Sequence, residues 1–176
     1  MNLRFCPGCG ARLTVQFQTN NHHDPISCAG CNFVYYRSSK PCVGAVLVKD
    51  EHVLLIRRAN EPFKDFWDFP GGFLNCGEHP ESGLKREVFE ELNVNMEIAE
   101  LIGFYMDNYG ESGESTLNIY YSGSIVNGSM YPNSEVSEVR WFDLQKLPQN
   151  LAFNHAQFVL SDWSRSNGNV NSKSSS

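Results

Sequence analysis

The sequence predicts an α/β domain over residues 43–164, preceded by a small cysteine-bearing module over residues 1–37. Three observations predict it. Apolar, β-branched runs at Val43–Lys49 and His52–Arg58 have the composition of strands. A segment from Pro80 to Leu92 carries apolar residues at helical spacing. Two Cys-x2-Cys pairs precede both. The 176 residues, 41% hydrophobic and 19% charged, suit one globular domain with an appendage and exclude a wholly disordered chain.

The first module contains Cys6-x2-Cys9, eighteen intervening residues, then Cys28-x2-Cys31. This spacing reads as a four-thiolate structural zinc site, because each pair can present two sulfurs from a tight turn. Pro7-Gly8 and Ala29-Gly30 supply the turn residues. His22 and His23 lie between the pairs and read as loop residues. So short a segment cannot bury much core, so zinc would supply most of its folding energy. Val15–Phe17 and Phe33–Tyr36 read as its short strands, and residues 38–42 as a linker. Cys42 and Cys76 read as free thiols.

In the larger domain, Asp50-Glu51 between the first two runs reads as a hairpin turn. Phe66 and Trp67 read as core beneath Pro70-Gly71-Gly72. Pro80 suits the first turn of the helix, where its missing N–H leaves nothing unpaired, and Asn93 can end it in the left-handed conformation. Strands are expected at Met96–Met106, Thr116–Val126 and Glu138–Phe142, a last helix over Asn154–Trp163, and a disordered tail over residues 165–176.

The helix carries the chemistry. At 100° per residue, Glu87, Glu90 and Glu91 share an arc of about 100°, while Leu84, Val88 and Leu92 form the buried stripe. Gly83 leaves room one turn back on the acidic arc. Like charges on one face destabilise a helix, whereas clustered carboxylates suit a hard divalent cation. The charge balance agrees. Residues 1–42 hold four basic and one acidic side chain, and the remainder ten basic and nineteen acidic. So acidic a body argues against nucleic acid as partner and calls for a cation if the substrate carries phosphate. No apolar run approaches the ~18 residues of a membrane span, so no membrane partner is expected. The start shows no apolar leader, so a cytoplasmic setting is expected.

The run Gly72-x5-Glu78-x7-Arg86-Glu87-Val88-x-Glu90-Glu91-x-Asn93-Val94 resembles the Nudix box, Gly-x5-Glu-x7-Arg-Glu-U-x-Glu-Glu-x-Gly-U with U apolar. Asn93 replaces the last glycine. With the four cysteines, the chain resembles zinc-ribbon Nudix hydrolases, relatives of NADH pyrophosphatases. The resemblance implies an α/β/α sandwich around a mixed sheet. It implies hydrolysis of a nucleoside diphosphate derivative, ADP-ribose or an ADP-sugar first. Nucleoside triphosphates, oxidised ones included, are the alternative. A non-catalytic nucleotide sensor, with a ribbon that binds nucleic acid or protein, is another. Glu87, Glu90 and Glu91 with the Gly72 carbonyl would bind Mg²⁺ or Mn²⁺. Arg86 would orient Glu90, and Glu78 would tie the loop to the helix. The base would be Glu87, or a later-loop glutamate, Glu135 before Glu138. Tyr109 and Phe153 would contact the base or ribose. The Ser-Gln-Pro-Trp-type array of NADH pyrophosphatases and the proline of some ADP-ribose hydrolases are both missing after the box. Relatives often form homodimers, so the resemblance admits a homodimer, while the sequence itself does not give the oligomeric state.

Overall fold

The computed structural model describes residues 3–13, 25–110 and 113–168. The expected strand Val15–Phe17, His22 and His23 lie outside them. The chain divides into two compact units, Met1–Ser39 and Lys40–Ser176.

In the first unit, β1 (Ile26–Ser27) pairs antiparallel with β2 (Val34–Tyr35). Each cysteine pair sits in a tight turn. Gly10 N donates to the Cys6 carbonyl at 2.8 Å and Asn32 N to the Cys28 carbonyl at 3.0 Å. Cys6, Leu13 and Cys28 form the unit's small buried cluster.

The second unit comprises β3 (Lys40–Lys49), β4 (His52–Arg58), β5 (Trp67–Asp68), β6 (Gly71–Phe73), α1 (Pro80–Leu92), β7 (Val94–Tyr109), β8 (Glu114–Gly128), β9 (Val136–Asp143) and α2 (Ala156–Gly168). Its sheet runs β5-β4-β3-β8-β7, with β6 paired to β3 and β9 to β4. β3 and β8 are parallel and the other pairings antiparallel, so the sheet is mixed.

Strand alternation makes this an α/β/α sandwich. Val43, Ala45, Leu47, Leu54, Ile56, Ile119 and Tyr121 pack with Leu84, Val88 and Leu92 of α1. The intervening Val46, Val53, Leu55 and Tyr120 pack with Ala156, Val159 and Leu160 of α2. The β3–β4 turn places Asp50 and Glu51 at φ 48° and 60°, the paired positive angles of a type I′ hairpin. Among the described residues, no helix is long and apolar enough to cross a membrane.

Four expectations need correction. Residues 40–42 are not linker. They open β3, where Lys40 pairs with Thr116, and Leu74 N bonds the Pro41 carbonyl at 3.1 Å. Pro41 disguises the strand, yet its carbonyl still bonds and only its missing N–H is lost. α2 begins at Ala156, two residues after Asn154, and includes residues 165–168 of the expected tail. Residues 169–176 lie outside the described set. Gly71–Phe73 is a strand as well as a loop, held in ladder register with Cys42–Gly44. Phe66 is 39% exposed and meets the Phe63 ring edge-on at 6.0 Å, while Trp67 alone of that pair is core.

Candidate active site

A cleft of about 560 Å³ opens where β3, β4, β6 and α1 meet. It brings Gly72, Glu87, Glu90, Glu91, Glu135, Tyr109 and Phe153 to one surface, from five separate stretches of chain. Arg86 stands behind Glu87 and Glu90. Glu138 does not line it. That side chain lies on β9, paired with Arg140 and with Arg57 at 3.8 Å.

α1 is fixed at both ends. Asn93 takes the left-handed conformation (φ 55°, ψ 35°), and its N–H bonds the Phe89 carbonyl. At the start, Glu78 accepts from Asn75 N at 2.9 Å and from Arg86 Nε and Nη2, both at 2.8 Å. Arg86 Nη1 also donates to Glu87 at 2.7 Å and Glu90 at 3.0 Å, and Nη2 to the Phe73 carbonyl at 3.2 Å. One guanidinium thus organises three carboxylates and the strand below them, more than the single Glu90 contact expected. These hydrogen bonds, Arg86 foremost, hold the Glu78 carboxyl down at about 2, and Glu78 in turn holds Arg86 charged.

Two glycines let this segment pack closely, Gly71 against β3 and Gly72 against α1. Gly71 has φ +150°, and a β-carbon there would lie 2.1 Å from the Val43 carbonyl oxygen. Its N–H donates to Glu91 at 2.9 Å. A β-carbon on Gly72 would lie 2.6 Å from the carboxyl carbon of Glu87, so the bare backbone is what seats that carboxylate. Gly83, expected to clear space for the acids, instead admits Leu74, whose Cδ2 would stand 2.3 Å from an added β-carbon. The later loop is fastened to the end of α1, since Asn133 N bonds the Glu91 carbonyl at 3.0 Å. Asn133 Oδ1 then accepts Glu135 N at 2.8 Å.

Burial raises the Glu91 carboxyl well above its ordinary range, against the Gly71 N–H. Burial also raises Glu87, and the Arg86 guanidinium opposes it. Both groups are therefore poised to gain from a cation. Three hard oxygen donors beside a glycine backbone suit Mg²⁺ or Mn²⁺ and not a soft metal. These carboxylates are spread along the cleft. Among the described residues, the set of potential ligands gathered within 4.8 Å of one another is Cys6, Cys9, Cys28 and Cys31. Cys6 Sγ lies 3.6 Å from Cys31 Sγ, and Cys9 Sγ 3.7 Å from Cys28 Sγ. A tetrahedron with Zn–S near 2.3 Å has edges of about 3.8 Å, so the thiols fit zinc. Gly8 N and Gly30 N also point at Cys6 and Cys28 sulfurs, at 3.3 and 3.4 Å.

The opposite wall is aromatic. Tyr109 and Phe153 lie nearly parallel, centroids 6.1 Å apart at 22°, and Phe73 meets Tyr109 edge-on at 5.2 Å. Arg58 lies 5.9 Å and 5.8 Å from the Tyr109 and Phe153 ring centres. It donates to the Tyr109 hydroxyl at 3.2 Å and to Asp68 at 3.1 Å. Burial raises Asp68, and the Arg58 charge opposes it. Among the described residues, Arg58 is the basic side chain in the cleft lining. Sequence reading missed both members of this pair. An acid inside Phe66-Trp67-Asp68-Phe69 was the available signal, because a buried carboxylate needs a partner.

The NUDIX domain family matches residues 38–162. An ADP-ribose pyrophosphatase of Methanocaldococcus jannaschii is 32% identical over 123 residues, covering 70% of this chain and 72% of that protein. A NAD-capped RNA hydrolase NudC of Vibrio parahaemolyticus is 26% identical over 148 residues, 84% of this chain and 54% of its own, so the chain spans about half the length of that relative. Among solved structures, a NUDIX hydrolase from Nitrosomonas europaea superposes with TM-score 0.78 at 27% identity, covering 94% of each chain. The NUDIX domain of Shewanella oneidensis NrtR, complexed with ADP ribose, superposes with TM-score 0.59 at 26% identity, covering 74% of this chain and 90% of that one.

Proposed function

This chain belongs to the Nudix hydrolase family, and on that premise we propose that it hydrolyses the diphosphate bond of a nucleoside diphosphate derivative, ADP-ribose or an ADP-sugar first. One observation carries the reading. A row of carboxylates and an aromatic wall with its own arginine share a single cleft. That spacing of chemistries suits a substrate with a diphosphate at one end and a base at the other. The relative named as an ADP-ribose pyrophosphatase and the NrtR domain complexed with ADP ribose support the choice.

Glu87, Glu90, Glu91 and the Gly72 carbonyl would hold Mg²⁺ or Mn²⁺. Such a cation offsets diphosphate charge and lowers the pKa of an attacking water. Arg86 keeps Glu87 and Glu90 aimed into the cleft. Glu87 accepts the water proton, with Glu135 the later-loop alternative. Arg58 faces the substrate's negative charge beside Tyr109 and Phe153, which stack on the base. Cys6, Cys9, Cys28 and Cys31 would hold a structural zinc.

A panel of nucleotides with Mg²⁺, read by its products, tests this. The expected result is AMP and ribose 5-phosphate from ADP-ribose. Pyrophosphate and a monophosphate from triphosphates, with ADP-ribose untouched, would assign the triphosphate activity instead. Binding with no turnover of any member would mark a sensor.

A further inference from the structure

One face of β7 carries a row of contacts that the hydrolytic chemistry does not use. Tyr105, Asp107 and Tyr109 alternate along the strand and are half-buried, while Phe104 and Met106 are exposed. The three therefore share a side. Each meets the C-terminal segment in turn. The Tyr105 hydroxyl donates to Asp162 at 2.7 Å. Asp107 Oδ2 lies 2.7 Å from His155 Nδ1. Tyr109 lies against Phe153.

His155 is the junction. It is 4% exposed, and its Nε2 lies 2.9 Å from the Tyr120 hydroxyl on β8. Asp107 accepts a hydrogen bond from Nδ1, and Nε2 shares one with the Tyr120 hydroxyl. The Tyr120 ring lies flat across Gly44, where a β-carbon would stand 2.3 Å away. Phe153 in turn stacks on His155, centroids 5.4 Å apart. His155 is two residues from Phe153, and Asp107 two from Tyr109. A single imidazole therefore joins the two chain segments that carry the cleft's aromatic pair.

We infer that His155 is a positioning residue for substrate binding. The Asp107–His155–Tyr120 chain holds the Phe153 segment in register with Tyr109 and so sets affinity for the base. The inference rests on the reading of Tyr109 and Phe153 as the base-binding wall. Its physical basis is preorganisation: a segment already fixed loses less freedom when it stacks on a ligand. His155 is absent from the cleft lining, so it acts through Phe153.

Steady-state kinetics on the full chain with Mg²⁺ tests it, using ADP-ribose and a base-free counterpart with ribose at both ends of the diphosphate. His155→Phe and Asp107→Ala raise KM for ADP-ribose about tenfold. They change kcat by less than about twofold and leave KM for the base-free compound in place. Asp107→Asn, whose amide oxygen still accepts the Nδ1 proton, restores most of the affinity. Asp107 is half-buried, so its variants carry the test if His155→Phe does not fold. Phe153→Ala, run in parallel, separates the two claims. If it leaves KM for ADP-ribose unchanged, or the wild type does not turn ADP-ribose over, the base-binding reading fails and the inference with it. If Phe153→Ala raises KM while the His155 and Asp107 variants do not, the inference alone is overturned. Equal KM shifts for both compounds, or a shared loss of kcat, would mark general loosening and overturn it too.

Discussion

A β-carbon at Gly72 would stand 2.6 Å from the carboxyl carbon of Glu87, so the carboxylate, the free end of a flexible side chain at the cleft, would have to swing aside. Gly72→Ala should therefore cost little stability, under about 1 kcal/mol, because a side-chain end and not the packed core gives way. It should lower kcat more, by about a hundredfold, because a 1 Å displacement of a reacting group costs that much. Thermal melts alongside kinetics would separate the two effects. At this scale the sequence was informative about type and silent about partnership. Glu87, Glu90 and Glu91 could be placed on one arc from helical period alone. That Arg86 serves Glu78, Glu87 and Glu90 together could not, because the bidentate Glu78 contact depends on how the Gly72–His79 loop folds back. Arg58 and Asp68, ten residues apart, were also invisible, since their meeting depends on the pairing of β4 with β5.

At the level of elements, α1 was legible to within a residue at each end. Pro80 marks its start because the first turn needs no N–H there, and Asn93 its end through a left-handed backbone angle that most residues adopt less readily. Asn93→Ala should destabilise the protein by about 1 kcal/mol, because alanine lacks asparagine's tolerance of the left-handed region. It also removes the hydrogen bond that Asn93 Nδ2 donates to the Ser129 carbonyl at 3.1 Å. For a chain of this size that is a fall in Tm of about 2–4 °C. The loop-to-helix tie predicts a pH dependence of definite sign. Glu78 is depressed from its ordinary 4.5 to about 2, so its stabilisation is present above 4.5 and is lost as pH falls toward 2. The stability gap between wild type and Glu78→Gln should be open at pH 7 and close across that window. A gap that widened on acidification would refute the pairing. β6 and the first residues of β3 escaped sequence reading for a common reason. Gly71, Gly72 and Pro41 present no side-chain alternation, and their pairing is a tertiary fact.

For the whole molecule, the two cysteine pairs and the acidic helix announced two units of different construction. One has, among its described residues, a buried cluster of Cys6, Leu13 and Cys28 that includes two of the four thiols, and the other a sheet buried on both faces. Removing zinc by chelation, or replacing Cys6 with serine, should unfold the Met1–Ser39 unit and leave the melting transition of the larger unit in place. A zinc-free protein with an intact first unit would contradict the assignment. What the sequence could not show at this scale are links such as His155 to Asp107 and Tyr120, 48 and 35 residues away, which exist only once β7, β8 and α2 have met. The central claim is that the carboxylates of α1 hold a divalent cation against a diphosphate. Its most direct test is the rate of ADP-ribose hydrolysis as Mg²⁺ is titrated into wild type and Glu91→Gln. Glutamine keeps an oxygen for the Gly71 N–H, so the variant should stay folded. Wild-type turnover should saturate with Mg²⁺, and the variant should be slower by about two orders of magnitude or more at every Mg²⁺ concentration. Hydrolysis that proceeds equally in both proteins, or without added divalent metal, would contradict the account.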